Sequence, residues 1–136
     1  MPAIQSITIA DGQTRPANHT FTPYTAQRGS EPAVWYNKET ETSLGYRQIT
    51  ASITTRANGS SKVMIKISDP VLAVINGACC VDANTPKVSY TEIATLEFNL
   101  PVGSTVANRQ DILAYAKNFL GDAVATQLIV DLEPSF

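Results

Sequence analysis

Charged residues make up only 16% of this 136-residue chain, and there is one histidine, one tryptophan and two cysteines. No stretch approaches the ~18 apolar residues of a membrane-crossing helix. The opening MPAIQSITIADGQ has neither the basic nor the apolar segment of a secretory signal. No membrane partner is expected, and synthesis in a cytoplasm is. His19 stands in a Thr- and Pro-rich stretch with no serine or cysteine constellation, which argues against nucleophilic and general acid–base catalysis. Cys79 and Cys80 come without histidines at ligand spacing, so a zinc site is not indicated. No glycine-rich phosphate loop is present. The carboxylates Glu92 and Glu97 fall on a strand, where charges normally face solvent. The expectation is a protein that is not an enzyme, with no catalytic residue, no metal and no cofactor. The glycosylation-type triplets at Asn18 and Asn58 count as chance matches without a secretory signal.

The length fits one domain, 1–136, able to bury about two thirds of its unfolded surface. A net charge of −2 announces no nucleic-acid partner by itself, but the charge is unevenly placed. From Gly45 to Tyr90 five basic residues face two acidic ones, whereas from Leu100 to Phe136 two face four.

Alternation of apolar and polar residues in IQSITIA and HTFTPYT, and the β-branched and aromatic run EPAVWYN, predicts short strands over 1–44. Trp35 is read as a core or interface anchor. The segment 45–69 predicts a long antiparallel hairpin turning at Asn58-Gly59 through a type I′ turn and stopped by Asp69-Pro70. One face carries Ile49, Ala51 and Ile53 with Val63, Ile65 and Ile67. The other carries Gln48, Thr50, Ser52, Thr54 and Arg56 with Lys62, Met64, Lys66 and Ser68. A loop over 70–87 follows, then a strand over 88–100. In that strand Ile93 is out of phase with Leu96, Phe98 and Leu100, which predicts a β-bulge near Ala94 and Thr95 and puts Tyr90 and Glu92 opposite Ile93. Over 104–133 the period changes to a helix pair. Ser104 is the expected first cap, Ile112, Leu113, Ala116, Phe119 and Leu120 form one stripe, Gly121 is the stop and Asp122 caps the second helix. The fold class is therefore α+β: an antiparallel sheet of about six or seven strands followed by two C-terminal helices.

A face of hydroxyls, lysines and an arginine is commonly the wet side of an open sheet. An aromatic at Tyr90 beside that face would add what single-stranded RNA needs: a stacking surface, cations for phosphates and hydroxyls for base edges. The residues alone leave open a solvated face, a non-assembling single-stranded RNA-binding regulatory module, and an oxidised fimbrial or tail subunit.

The order of elements, with the hairpin ITASITTRANGSSKVMIKISDP, a Cys-bearing loop, the strand SYTEIATLEF and a helix pair ending near DLEPSF, resembles the coat proteins of the single-stranded RNA bacteriophages, the leviviruses. The likeness covers about the last 90 residues well and the first 40 by strand order. It implies an intertwined homodimer with one continuous sheet, closed into an icosahedral virion shell around a single-stranded RNA genome and made in the bacterial host cytoplasm. It also implies binding of an RNA hairpin on the inner sheet face for translational repression and packaging, and a minor maturation protein as a further partner. The family's pocket positions fall on Thr50, Ser52, Met64 and Lys66, and its stacking tyrosine on Tyr90. Family members often place a threonine or glutamine where Met64 stands, and other family lysines match Gln48. The candidate RNA-binding set is thus Gln48, Thr50, Ser52, Thr54, Arg56, Lys62, Met64, Lys66, Tyr90 and Glu92.

Pairing of Cys79 with Cys80 would close a strained ring, because adjacent Cα atoms are ~3.8 Å apart. In the family this loop meets its symmetry copies around the shell axes, and some members carry cysteines there that bond neighbouring subunits. The resemblance makes Cys79 and Cys80 candidates for inter-subunit disulfides, with two buried free thiols as the alternative.

Overall fold

The structure, a computed structural model, describes residues 2–73 and 86–135. Six strands, β1 (Ile7–Ala10), β2 (Asn18–Thr25), β3 (Ala33–Asn37), β4 (Arg47–Thr55), β5 (Ser61–Leu72) and β6 (Val88–Leu100), pair antiparallel in chain order. They are followed by α1 (Val106–Leu120) and α2 (Ala123–Thr126), which runs on into a π-helical turn, Gln127–Asp131.

The β4–β5 hairpin forms where the alternation places it, with Ile49↔Ile67, Ala51↔Ile65 and Ile53↔Val63 as direct partners. Its turn differs from expectation. Gly59 N donates to Arg56 O at 2.9 Å, Arg56 N donates to Ser60 O at 2.8 Å, and only Gly59 has positive φ, at 83°. This is a three-residue connection closed by a left-handed glycine, not a type I′ turn. Asn58 has no positive φ and uses its Oδ1 to accept from Ser60 N and Oγ.

Asp69-Pro70 does not end β5, which runs on to Leu72. Pairing with β4 ceases at Gln48↔Ser68, so beyond it β5 has β6 as its partner and Pro70 can leave its missing N–H on the open side. The expected bulge at Ala94–Thr95 is absent. Register is unbroken from Ser61↔Leu100 to Val71↔Tyr90, and the irregularity lies between Val71 and Leu72. The helix stop and start are read more closely by geometry. Thr105, not Ser104, caps α1 by accepting from Asn108 N, while Asp122 caps α2 by accepting from Val124 N. Leu132 ends the helical run in the left-handed region at φ 57°.

The first hairpin, β1–β2, folds against the apolar side of the sheet, where Ile9, Phe21 and Ile67 line one cleft. Phe21 and Ile49 are buried. Trp35 Nε1 donates to Gln5 O at 2.8 Å and ties the chain's start to β3. Asn37 is only 2% exposed, and its Nδ2 donates to Thr20 O at 2.9 Å. The helices lie toward the same side: Ile112 and Leu113 border a cleft with Val63, Ile65, Phe98 and Leu100. Yet α1 buries no residue; Leu113 is 60% exposed and, in the helical turn that follows, Ile129 is 64% exposed. Accessible surface totals 10577 Å² for 14.6 kDa. A compact monomer of that mass exposes about 6,900 Å², so roughly a third of this surface belongs to a chain that has not closed on itself.

Candidate nucleic-acid interface

Residues directly opposite in adjacent strands share a face. The register therefore stacks four rows on the polar side: Tyr36–Gln48–Ser68–Ile93, Val34–Thr50–Lys66–Thr95, Ser52–Met64–Glu97 and Thr54–Lys62–Asn99. Gln48, Thr50, Ser52, Thr54, Lys62, Met64 and Lys66 thus come together. Arg56 follows Thr54 at the hairpin end, close enough to Glu97 to act on its charge.

Tyr90 and Glu92 do not join them. They pair with Val71 and Asp69, which by alternation along β5 share the face of Ile67 and Ile65, on the apolar side. The misplacement has a clear cause. Ile93 was assigned to the core because it is apolar, whereas it stands on the polar face at the sheet's margin, 57% exposed. With an unbroken period of two, the β6 residues on the polar face are Thr91, Ile93, Thr95, Glu97 and Asn99.

Among the described residues of this face, four cations, Arg56, Lys62, Lys66 and Lys38 just past β3, meet one strand carboxylate, Glu97. Lys62 Nζ lies 3.2 Å from Glu97 Oε2, and Asn99 Nδ2 donates to Glu97 Oε1 at 3.0 Å. The Asn99 hydrogen bond first, and Lys62 after it, hold the Glu97 carboxyl below its ordinary range. Strands β2, β3 and β4 contain no acidic residue. An ion-pairing network of the opposite balance sits across the sheet, under the first hairpin. His19 is 3.0 Å from Asp11 Oδ2 through Nε2 and 2.7 Å from Glu39 Oε2 through Nδ1, and Arg47 reaches both Glu39 and Asp69. Hydrogen bonds that Asp11 and then Glu39 accept from the ring raise the His19 pKa, and the same bonds lower that of each carboxyl. His19 is a tie between β2 and its surroundings, not part of the polar face.

The sequence reading missed Val34, Tyr36, Tyr46, Lys38, Thr95, Glu97 and Asn99 as members of the polar side. Parity carried unbroken across β3 and β6, and back from Gln48 of β4 to Tyr46, is the signal that assigns them. Cys79 and Cys80, the candidate inter-subunit disulfides, lie outside the described residues.

A curled sheet with one cationic face, backed by helices whose apolar stripes project uncovered, defines a structural protein made of surfaces for other molecules. The model of the levivirus coat protein family matches residues 2–136, and the chain belongs to that family as a structural component of the virion capsid. It is similar to the virus-like particle subunit of bacteriophage NT-214, at 46% identity and TM-score 0.92, over 99% of this chain and 100% of the other. The corresponding chain of bacteriophage ESE058 is 27% identical at TM-score 0.90, with 99% and 100% covered. The capsid protein of Pseudomonas phage PRR1 is 25% identical over 129 residues, 93% of this chain and 89% of that protein.

Proposed function

We propose that the chain is the repeating unit of an icosahedral shell, assembled from dimers in the bacterial cytoplasm around a single-stranded RNA, with the polar sheet face turned inward onto the RNA. The observation that carries this is the segregation of the two faces: cations and hydroxyls gather on one side, and the apolar residues Val63 and Ile65 on the other border a cleft with Ile112 and Leu113 of α1. On that polar side Thr50 and Ser52 supply small hydroxyls for base edges, and Lys62, Lys66 and Arg56 supply phosphate contacts. This is the chemistry of hairpin binding for translational repression and genome packaging.

Self-association is supported by surface and by hydrogen bonding. Among the described residues β6 ends the sheet with a free edge 13 residues long, and an edge of that length invites a second copy to pair with it. Two copies joined there form one continuous sheet, and each helix stripe gains the partner's apolar face to cover. The surplus surface is about 3,700 Å² per chain beyond a compact monomer, or about 7,400 Å² for a pair, enough for a permanent interface of about 2,000 to 5,000 Å² with surface left for contacts between dimers in a shell. Expression of the chain alone in bacteria, followed by light scattering, nucleic-acid absorbance and negative-stain imaging, tests the proposal. Closed particles containing host RNA are expected. A stable monomer at micromolar concentration refutes assembly, and empty particles that stay empty with added RNA refute the RNA role.

A further inference from the structure

Three of the five tyrosines stand together on the polar face, beside the residues assigned to it by spacing. Tyr36 pairs with Gln48 and so shares the side of Thr50 and Lys66. Tyr46 precedes β4 by one residue, and its ring centroid is 6.1 Å from that of Tyr36 at 54°. Tyr24 falls at the register shift between Pro23 and Thr25, which brings its ring to 5.1 Å from Tyr36 at 65°. Lys38 Nζ is 6.0 Å from the Tyr46 centroid.

We infer that Tyr24, Tyr36 and Tyr46 form a stacking strip for unpaired RNA bases, with Lys38 set to meet the backbone phosphates. The inference rests on the polar face being the RNA face. The rings are tilted against one another rather than stacked flat, so Tyr24, 67% exposed, keeps a ring face for a base. No carboxylate from β2, β3 or β4 opposes a polyanion there, and the strip continues directly into the rows that carry Gln48 and Lys66. Aromatic stacking accepts any base, while cations beside it follow the strand. The strip therefore suits single-stranded segments of any sequence, and adds a site for the genome at large beside one that discriminates hairpins.

The test measures binding of an unstructured oligoribonucleotide, and of an abasic oligomer of the same length, to RNA-free protein by fluorescence anisotropy at several salt concentrations. Tyr24→Ala should weaken binding of the base-bearing oligomer at least roughly fivefold with little change in salt slope. The same variant should leave the abasic oligomer unaffected, and Tyr24→Phe should bind as the parent does. Because Tyr24 is exposed, thermal melts should be unchanged. Normal oligomer binding by Tyr24→Ala overturns the strip, and if Lys66→Gln still flattens the salt slope, the RNA face itself stands. An equal loss on both oligomers also overturns stacking. Normal RNA binding with failed particle formation would make the strip a subunit contact instead. If no variant, Lys66→Gln included, alters binding, both the strip and the RNA face are refuted.

Discussion

Lys66 and Tyr90 were placed on one face by spacing and are separated onto two by register, and that separation can be measured. Lys66 is exposed, with no ion pair among the described residues. Each phosphate neutralised on a single strand contributes about 0.7 to the slope of log affinity against log salt. Lys66→Gln should reduce that slope by about 0.7, which corresponds to roughly fivefold weaker binding at 0.1 M than at a 1 M reference. Glu97→Gln has the opposite sign: it frees Lys62 from its 3.2 Å partner, and should steepen the slope by up to about 0.7 and tighten binding by up to roughly fivefold. The substituted side chain can still accept from Asn99, so the local hydrogen bond survives. Tyr90→Ala, on the apolar side beside Val71, should leave both slope and affinity unchanged. Anisotropy titrations of a labelled single-stranded RNA in stepped potassium chloride read all three. Loss of affinity in Tyr90→Ala equal to that in Lys66→Gln would refute the face assignment, and weaker binding by Glu97→Gln would refute the electrostatic account.

Phe21→Ala should destabilise the fold by about 3 to 5 kcal/mol, because Phe21 is 3% exposed and closes the first hairpin onto the sheet; denaturant midpoints at fixed concentration check it. Gly59→Ala should cost about 1 to 2 kcal/mol, since φ is 83° there and the new Cβ meets Val102 Cγ2 at 3.3 Å; the same midpoints should fall with an unchanged denaturant slope. The His19 tie gives a pH signature with two limbs. His19 is raised from 6.5, so its contribution is complete below 6.5 and is lost as pH climbs through the higher folded value. Asp11 and Glu39 are lowered from 3.8 and 4.5, so theirs is present above those values and is lost as pH falls through the lower folded ones. Melting temperature across pH 3 to 9 should pass through a plateau in weakly acidic buffer, and His19→Gln should flatten the alkaline decline; an unaltered alkaline limb in that variant counts against the network.

Much of the fold was legible because period-two and period-three-to-four patterns are local. Ile49, Ile53, Val63 and Ile67 declared the hairpin, and Ile112, Leu113, Ala116 and Phe119 declared the helix that follows β6. Family membership followed from the order of these elements, which the matched model supports over residues 2–136. The errors in assigning the β6 faces share one physical origin, the premise that apolar residues seek the chain's own core. Ile93 violates that assumption, and a bulge was inferred to rescue it, which carried Tyr90 and Glu92 to the wrong side. The tyrosine strip was invisible for a related reason. Tyr24, Tyr36 and Tyr46 sit 10 to 12 residues apart in sequence and meet only through the pairing of β2 with β3 and β3 with β4. The salt bridge between Lys62 and Glu97 likewise needed the β5–β6 register.

The edge of β6, free among the described residues, bears in the proposed dimer on the chain's history as well as on its assembly. In a pairing of like edges about a two-fold axis, every residue of β6 is present twice at one interface. A substitution worth about 1 kcal/mol per copy is felt as about 2 kcal/mol per pair, close to a thirtyfold change in the pairing equilibrium constant. Mutation therefore works on this strand with squared effect, for gain as well as for loss. In the proposed dimer, substitutions should be tolerated least along Val88–Leu100 and more readily where each residue faces solvent once, as at the exposed connection between β1 and β2.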